Sequence, residues 1–319
     1  MFLGLLMSGD RYDRPTWIVG HLLIGCWLLL AAGSVEAGAA TDMLGRDVHV
    51  PDRPLRLVSL APSITETIYA LGRGDWLVGV TDVCDYPPEA RTKPKVGGIA
   101  APSLERIVSL APDLVLATAE GNSRNSLEQV ERLGIPTFAL KPDSYAHVIG
   151  SIAALGRVLR AEAAAEHVVR EIRERVLEVQ TVVARLSRPR VLYLIWTDPL
   201  IAAGPATYIN DLLDLAGGRN IVQVWTVPYP RLDWEQVVGG APDVILVADH
   251  RVGADPLAPA VAAVPQEWQG WQAIPAIRSG RVIPIPGNTV LRPGPRVGEG
   301  LTRLAQAIHS NPDERQGSR

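Results

Sequence analysis

The chain has 319 residues, of which 47% are hydrophobic and 20% are charged, so its composition is that of a globular protein rather than a disordered one. At about 150 residues per domain, this length predicts roughly two domains. Lys and Arg number 31 against 34 Asp and Glu, and the resulting net charge of -3 argues against a nucleic-acid-binding protein. Two cysteines exclude a disulfide-built scaffold and any multi-cysteine metal centre.

Residues 1–40 have the pattern of a secretory signal peptide. An apolar stretch at 16–33 follows two arginines and precedes the small-residue segment 35–37, which is typical of a cleavage site. Two alternatives stay open: a retained membrane anchor, because about 18 apolar residues can just span a bilayer, and a lipoprotein, because Cys26 ends a lipobox-like segment. We favour cleavage, which predicts a periplasmic protein with Cys84 as its remaining thiol.

An internal duplication is visible in the rest of the chain. Segments 105–116 and 235–246 align without gaps and share Glu, Val, Ala, Pro, Asp and Leu at equivalent places. Each predicts a short helix, a Pro-Asp turn and an apolar β-branched run typical of a strand buried on both faces of a parallel sheet. The spacing of 130 residues is too long for a solenoid, so the repeat predicts two similar lobes.

Other elements follow the same order in both halves: a first strand, a helix that ends in glycine, and a last strand. The predicted segments are 57–60, 64–72 and 137–140 in the first half, and 191–194, 208–217 and 282–285 in the second. Strands that alternate with helices favour an α/β fold with parallel sheets.

A long helix is predicted between the halves. Residues 161–186 contain no Gly or Pro, and their valines and isoleucines recur at helical spacing. This segment predicts one rigid helix of about 26 residues, or about 39 Å, and a final helix is predicted at 296–309. The predicted organisation is a signal peptide at 1–40, an N-terminal lobe at 41–143, a helical linker at 144–188, a C-terminal lobe at 189–310 and a flexible tail at 311–319.

Catalytic signatures are missing from the sequence. It contains no phosphate loop, no dinucleotide-binding glycine motif and no nucleophile elbow, and its six histidines are scattered. We therefore predict no enzyme, no catalytic residue, no metal site and no catalytic cofactor. Cys84 is predicted to be a small buried loop residue. A cofactor-bearing enzyme on a two-lobed scaffold is the alternative of a different class.

Aromatic side chains stand out at predicted strand ends and in proline-containing turns. They are Tyr86, Trp196, Tyr208, Trp225 and Tyr229. Ligands of open α/β sheets bind beyond the carboxyl ends of the strands, where loops of two lobes face each other. Flat side chains there suit a large planar or macrocyclic ligand. The alternative is that the two tryptophans are ordinary core residues.

The chain resembles the periplasmic substrate-binding proteins of ABC importers that have a helical backbone, above all their cobalamin-binding components. The motifs that carry the resemblance keep their order between residues 50 and 309. They lie at 56–66 (RLVSLAPSITE), 85–90 (DYPPEA), 96–98, 104–107, 111–116, 121–122, 198–199, 216–220, 227–230 and 295–296. The resemblance implies two Rossmann-like lobes with parallel sheets, joined by one long α-helix, with the ligand between them.

Further implications of the resemblance concern the ligand. Tyr86 and Tyr229 match positions that contact the corrin in cobalamin binders, and Trp196 joins them as a predicted ligand-binding residue. Asn288 stands near the place of a family acidic residue, and Arg292 is available for a phosphate or carboxylate of the ligand. The family's best-known cobalamin binder has tryptophan in place of Tyr229, so the pocket is aromatic but not identical. A ferric siderophore or haem is the alternative ligand.

Two glutamates of the repeat acquire a role through the same resemblance. Glu105 and Glu235 match acidic residues that dock onto arginines of the membrane permease. Two equivalent carboxylates suit a two-fold symmetric permease dimer. The alternative is that each simply stabilises the start of a helix. The predicted partners are thus an ABC permease dimer with its ATPase subunits and a corrinoid as transported ligand, with the protein itself monomeric. A sensor or storage protein without a permease is a third class.

Overall fold

A computed structural model describes residues 38–222, 224, 226–250, 268 and 271–310. The predicted signal peptide up to residue 37, Trp225 and the predicted flexible tail lie outside the described residues. None of the described helices is both long and apolar enough to cross a membrane.

The N-terminal half is built on a four-stranded, fully parallel sheet with the order β4-β3-β5-β6. Its strands are β3 (Leu57–Ser59), β4 (Leu77–Val80), β5 (Leu114–Thr118) and β6 (Thr137–Leu140). Its helices are α1 (Pro62–Ala70), α2 (Leu104–Ser109) and α3 (Arg124–Arg132), with 3-10 turns at Gly74–Trp76 and Pro88–Thr92. β3 and β5 are buried along their whole length, as their apolar β-branched sequences predict.

An antiparallel hairpin, β1 (Gly38–Thr41) and β2 (Asp47–Val50), precedes this sheet. The buried carboxylate of Asp42 stabilises this hairpin against the sheet. The carboxylate accepts hydrogen bonds from the Arg46 guanidinium and from the backbone N–H of Ala139 in β6. The predicted signal boundary at residue 40 falls inside β1, so the paired segment begins earlier than the sequence pattern indicated.

The C-terminal half contains a second sheet with the order β11-β10-β7-β8, and β9 pairs with β7 beside this path. Its strands are β7 (Arg190–Thr197), β8 (Leu200–Ala202), β9 (Arg219–Asn220), β10 (Val244–Asp249) and β11 (Val282–Pro286). Its helices are α6 (Tyr208–Leu215), α7 (Trp234–Gly240), α8 (Pro275–Arg278) and α9 (Gly287–Val290). Within this sheet β8 is antiparallel to β7, and the other described pairings are parallel.

The predicted duplication is confirmed by the pairing of the strands. β3, β5 and β6 are neighbours in the first sheet as β7, β10 and β11 are in the second. The shared aspartates explain the Pro-Asp turn: Asp113 accepts a hydrogen bond from the Arg56 backbone N–H at 2.9 Å, and Asp243 accepts one from the Arg190 N–H at 2.8 Å. Each aspartate therefore fixes the start of one strand against the start of its neighbour.

Helices α4 (Tyr145–Val158) and α5 (Glu162–Val183) connect the two halves, and the last helix, α10 (Val297–His309), packs against α5. α5 has 22 residues, or about 33 Å, so the prediction of about 26 residues was too long. The chain leaves the helix at Ala184, and residues 184–186 form a turn. The apolar stripe of α5 packs between α4 and α10. This arrangement confirms the predicted α/β fold with two parallel-type sheets and one long connecting helix.

Candidate functional site

A cavity of about 280 Å³ lies between the two sheets. The first half contributes residues from segments 61–63 and 118–121, and the second half contributes residues from segments 249–250 and 287–293. Each segment follows the carboxyl end of a strand, or begins there, which is the usual place for a ligand in open α/β sheets. The cavity is thus the candidate ligand site.

Asn288 and Arg292 are the two predicted ligand residues that line this cavity. Asn288 lies in α9, and its side-chain oxygen Oδ1 is buried without a hydrogen-bond partner. A buried acceptor without a partner is unfavourable, and an N–H donor would satisfy it. The hydrogen bond between Asn288 and a ligand stays a prediction, which this unpaired oxygen supports.

The Arg292 guanidinium is already engaged in a buried ionic cluster with Glu66, Asp85 and Arg296. Its Nη1 lies 3.0 Å from Glu66 Oε1 and 2.6 Å from Asp85 Oδ1. Arg296 binds both carboxylate oxygens of Glu66, at 2.8 and 2.7 Å. Burial alone would lower the pKa of Arg292, but Asp85 and Glu66 outweigh it and raise that pKa. Arg292 thus carries its charge within a satisfied cluster, and its contact with a ligand stays a prediction.

Tyr86 stands beside this cluster. The guanidinium carbon of Arg296 lies 4.0 Å from the centre of the Tyr86 ring, within the range of a cation–π interaction. The residue nevertheless keeps 41% of its surface exposed. One face of the ring is therefore packed on Arg296. Tyr86 is not among the residues that line the cavity, and its contact with a ligand stays a prediction.

Trp196 lies at the end of β7, half exposed, next to a cavity residue that the sequence did not single out. Its ring centre is 4.9 Å from that of His250, which lines the cavity after β10. The sequence analysis treated this histidine only as one of six scattered histidines. Its position directly after a buried strand was the signal that could have identified it. Tyr208, by contrast, is a buried core residue.

Tyr229 comes from the second half and faces acidic residues of the first. Burial, with smaller contributions from the carboxylates of Glu120 and Asp143, raises the pKa of its phenol to about 12. Glu120 lines the cavity. Tyr229 is 36% exposed and is not among the residues that line the cavity, so its contact with a ligand stays a prediction.

Glu105 and Glu235 occupy equivalent places, each the second residue of α2 or α7. Both are exposed, and neither has an ion-pair partner among the residues that the structure describes. The helices are capped by Ser103 and Asp233, so the orphan N–H groups at each helix start do not depend on the glutamates. Docking of these two carboxylates onto a permease stays a prediction.

Cys84 is buried, as predicted, and its sulfur lies 3.2 and 3.0 Å from the hydroxyls of Thr65 and Thr81. Burial raises the pKa of this thiol, which opposes reactivity. Within the described ranges, no three His, Cys, Asp or Glu side chains are grouped so that they could hold a metal ion.

Comparison with known proteins gives consistent matches. The periplasmic binding protein family matches residues 57–289. The vitamin B12-binding protein of Vibrio parahaemolyticus is 27% identical over 80% of this chain and 90% of its own, and that of Pectobacterium atrosepticum is 32% identical over 76% and 85%. Among solved structures, the periplasmic vitamin B12-binding protein BtuF of Vibrio cholerae superposes with a TM-score of 0.70 at 27% identity, over 80% and 96% of the two chains. The periplasmic heme-binding protein RhuT from Roseiflexus sp. RS-1 gives 0.71 at 30% identity, over 80% and 98%.

Proposed function

The chain belongs to the periplasmic binding protein family, and from this premise we propose that it captures cobalamin or a related corrinoid and delivers it to an ABC permease. Binding takes place between the lobes proposed at 41–143 and 189–310, and no catalytic step is involved. Transport energy comes from separate ATPase subunits, since the sequence has no phosphate loop.

The observation that supports this proposal is a cavity lined by both halves of the protein, together with three exposed aromatic residues outside its lining, of which Trp196 contacts the lining residue His250. Tyr86, Trp196 and Tyr229 are each at least 36% exposed. The cavity of about 280 Å³ is small beside typical ligand pockets of about 300–1,000 Å³. A corrinoid would fill it with one part and spread the rest over the aromatic side chains. The Asn288 oxygen would then accept from a carboxamide N–H, a donor group that corrinoids carry in number.

Haem is the second candidate, and one observation favours it. His250 lines the cavity, and Tyr229 senses the charge of the cavity residue Glu120; both side-chain types serve as axial ligands of haem iron. The similarity to the heme-binding protein of Roseiflexus also supports haem as the ligand. The acidic Glu120 and Asp249 in the cavity wall count against it, because haem carries two propionates.

Titration of the purified mature protein distinguishes these ligands. We expect hydroxocobalamin and cobinamide to bind with saturable changes in visible absorbance, and haem and a ferric hydroxamate siderophore to bind more weakly. Competition between haem and cobinamide at equal concentration provides the ranking. Preference for haem or the siderophore over both corrinoids would overturn the ligand proposal and leave the fold untouched.

Export leaves a mature chain that we expect to begin at Gly38. The small-residue segment 35–37 precedes it, and β1 begins at this residue. Intact-mass measurement of the protein from the periplasm checks this. A chain that starts at acylated Cys26 would identify a lipoprotein, and a chain that retains the apolar stretch would identify an anchor.

A further inference from the structure

A buried ionic cluster joins the two halves beneath the ligand cavity. Glu66 lies on α1 of the first half, whereas Arg292 and Arg296 lie between α9 and α10. The Glu66 side chain is 1% exposed, and those of the two arginines are 13% and 11% exposed. A carboxylate this deeply buried persists only when charges and hydrogen bonds compensate its lost hydration.

Contacts around the cluster tie further parts of the two halves together. Arg292 reaches Asp85 and the carbonyl of Val83 on the loop after β4, while Arg296 donates to the carbonyl of Asn288 in the cavity wall at 2.7 Å. A side chain on Gly294 would come within 3.1 Å of the Ser63 carbonyl oxygen, so the connector is packed against the start of α1.

The cluster also touches the candidate ligand surface. Arg296 is held by both oxygens of Glu66 and lays its guanidinium against the Tyr86 ring. A guanidinium fixed in two hydrogen bonds is a rigid, flat support, which a flexible ammonium cannot replace. The orientation of Tyr86 therefore depends on a contact that comes from the opposite half of the protein.

We propose that Glu66 and Arg296 are positioning residues: their ion pair fixes the angle between the lobes and holds Tyr86 ready for the ligand, so that the cleft is formed before binding. The effect on ligand affinity rests on the proposed function, whereas the effect on the lobes does not. Fixing a binding surface in advance lowers the entropy lost on association.

The test compares Glu66→Gln with Asp42→Asn. Asp42 is a matched control, because its side chain is also fully buried and also binds an arginine, Arg46, through two hydrogen bonds at 2.8 and 2.7 Å, but wholly within the first half. Both variants should lower the melting temperature. Only Glu66→Gln should weaken hydroxocobalamin binding, by about tenfold. When Tyr86 is already replaced by alanine, Glu66→Gln should weaken hydroxocobalamin binding by less than about threefold, because the ring that Glu66 positions is absent.

A second experiment, without ligand, measures the distance between the two halves. Spin labels are attached at Asn125→Cys and Arg219→Cys, which are exposed positions on α3 and β9. Pulsed electron resonance should give a narrow distance distribution that broadens in Glu66→Gln and stays narrow in Asp42→Asn. If the wild type binds no corrinoid, the proposed function fails and this distribution alone decides the inference. An unchanged distribution overturns it, and so does equal loss of affinity in both variants. Should Glu66→Gln not fold, Arg296→Lys takes its place with the same expected results.

Discussion

Replacing Glu105 and Glu235 together with alanine is expected to lower permease-dependent corrinoid uptake by more than about tenfold, while ligand affinity stays within about twofold of the wild type. Both glutamates are exposed and without an ion-pair partner among the described residues, so their removal leaves no buried charge uncompensated. Uptake by cells that carry the variant, and titration of the purified variant, measure the two effects. Each single substitution should give an intermediate loss, because each carboxylate meets one half of a symmetric partner.

The matched control is Glu162→Ala with Glu299→Ala. These glutamates are also exposed and also lie in the first turn of a helix, α5 or α10. The control removes the same charge and the same favourable interaction with a helix N-terminus, about 0.3–1 kcal/mol each. It also removes the ion pair of 2.9 Å between Glu299 and Arg303, so it is the more disruptive of the two double variants. Equal loss of uptake in both pairs would assign the effect to net charge or stability. Loss of ligand affinity in the Glu105/Glu235 variant would also contradict permease docking.

Local sequence patterns were sufficient for much of the fold. Continuous apolar β-branched runs placed β5 and β10, and the strand predicted at 137–140 coincides with β6. The repeat segments gave the order of elements because the same residues perform the same task twice: Ala111 and Ala241 both adopt a left-handed backbone, and an aspartate follows two residues later to fix the next strand.

Contacts between distant parts of the chain could not be predicted from such local patterns. Glu66 and Arg296 are separated by 230 residues, and no local periodicity relates them. One local sign did indicate that Glu66 needs a partner. This charged residue lies between Ile64 and Ile68 on a helix that is buried at most of its positions. The only local sign for His250 was its position directly after the buried strand β10, and its neighbour Trp196 is 54 residues away in the sequence. Helix α5 ends earlier than predicted because the chain turns at residues 184–186, and the amino-acid composition did not indicate that turn.

Replacing Tyr86 or Tyr229 with alanine is expected to weaken hydroxocobalamin binding by about thirtyfold in each case, as for aromatic residues at the centre of other binding surfaces. The rings stand on opposite halves of the protein, and both combine a packed side with exposed surface. Truncation therefore removes apolar area that a flat ligand would cover, without opening a hole in the core. Isothermal titration of each variant measures the loss.

Phenylalanine at the same positions separates the ring from its hydroxyl. If apolar contact provides the affinity, Tyr86→Phe and Tyr229→Phe should bind within about threefold of the wild type. Because burial and neighbouring carboxylates raise the pKa of Tyr229 to about 12, its phenol is protonated below that pH, and its titration should not affect binding between about pH 6 and 9. A Phe variant as weak as the Ala variant would instead identify the hydroxyl as the binding group, and Ala variants of wild-type affinity would place the ligand elsewhere.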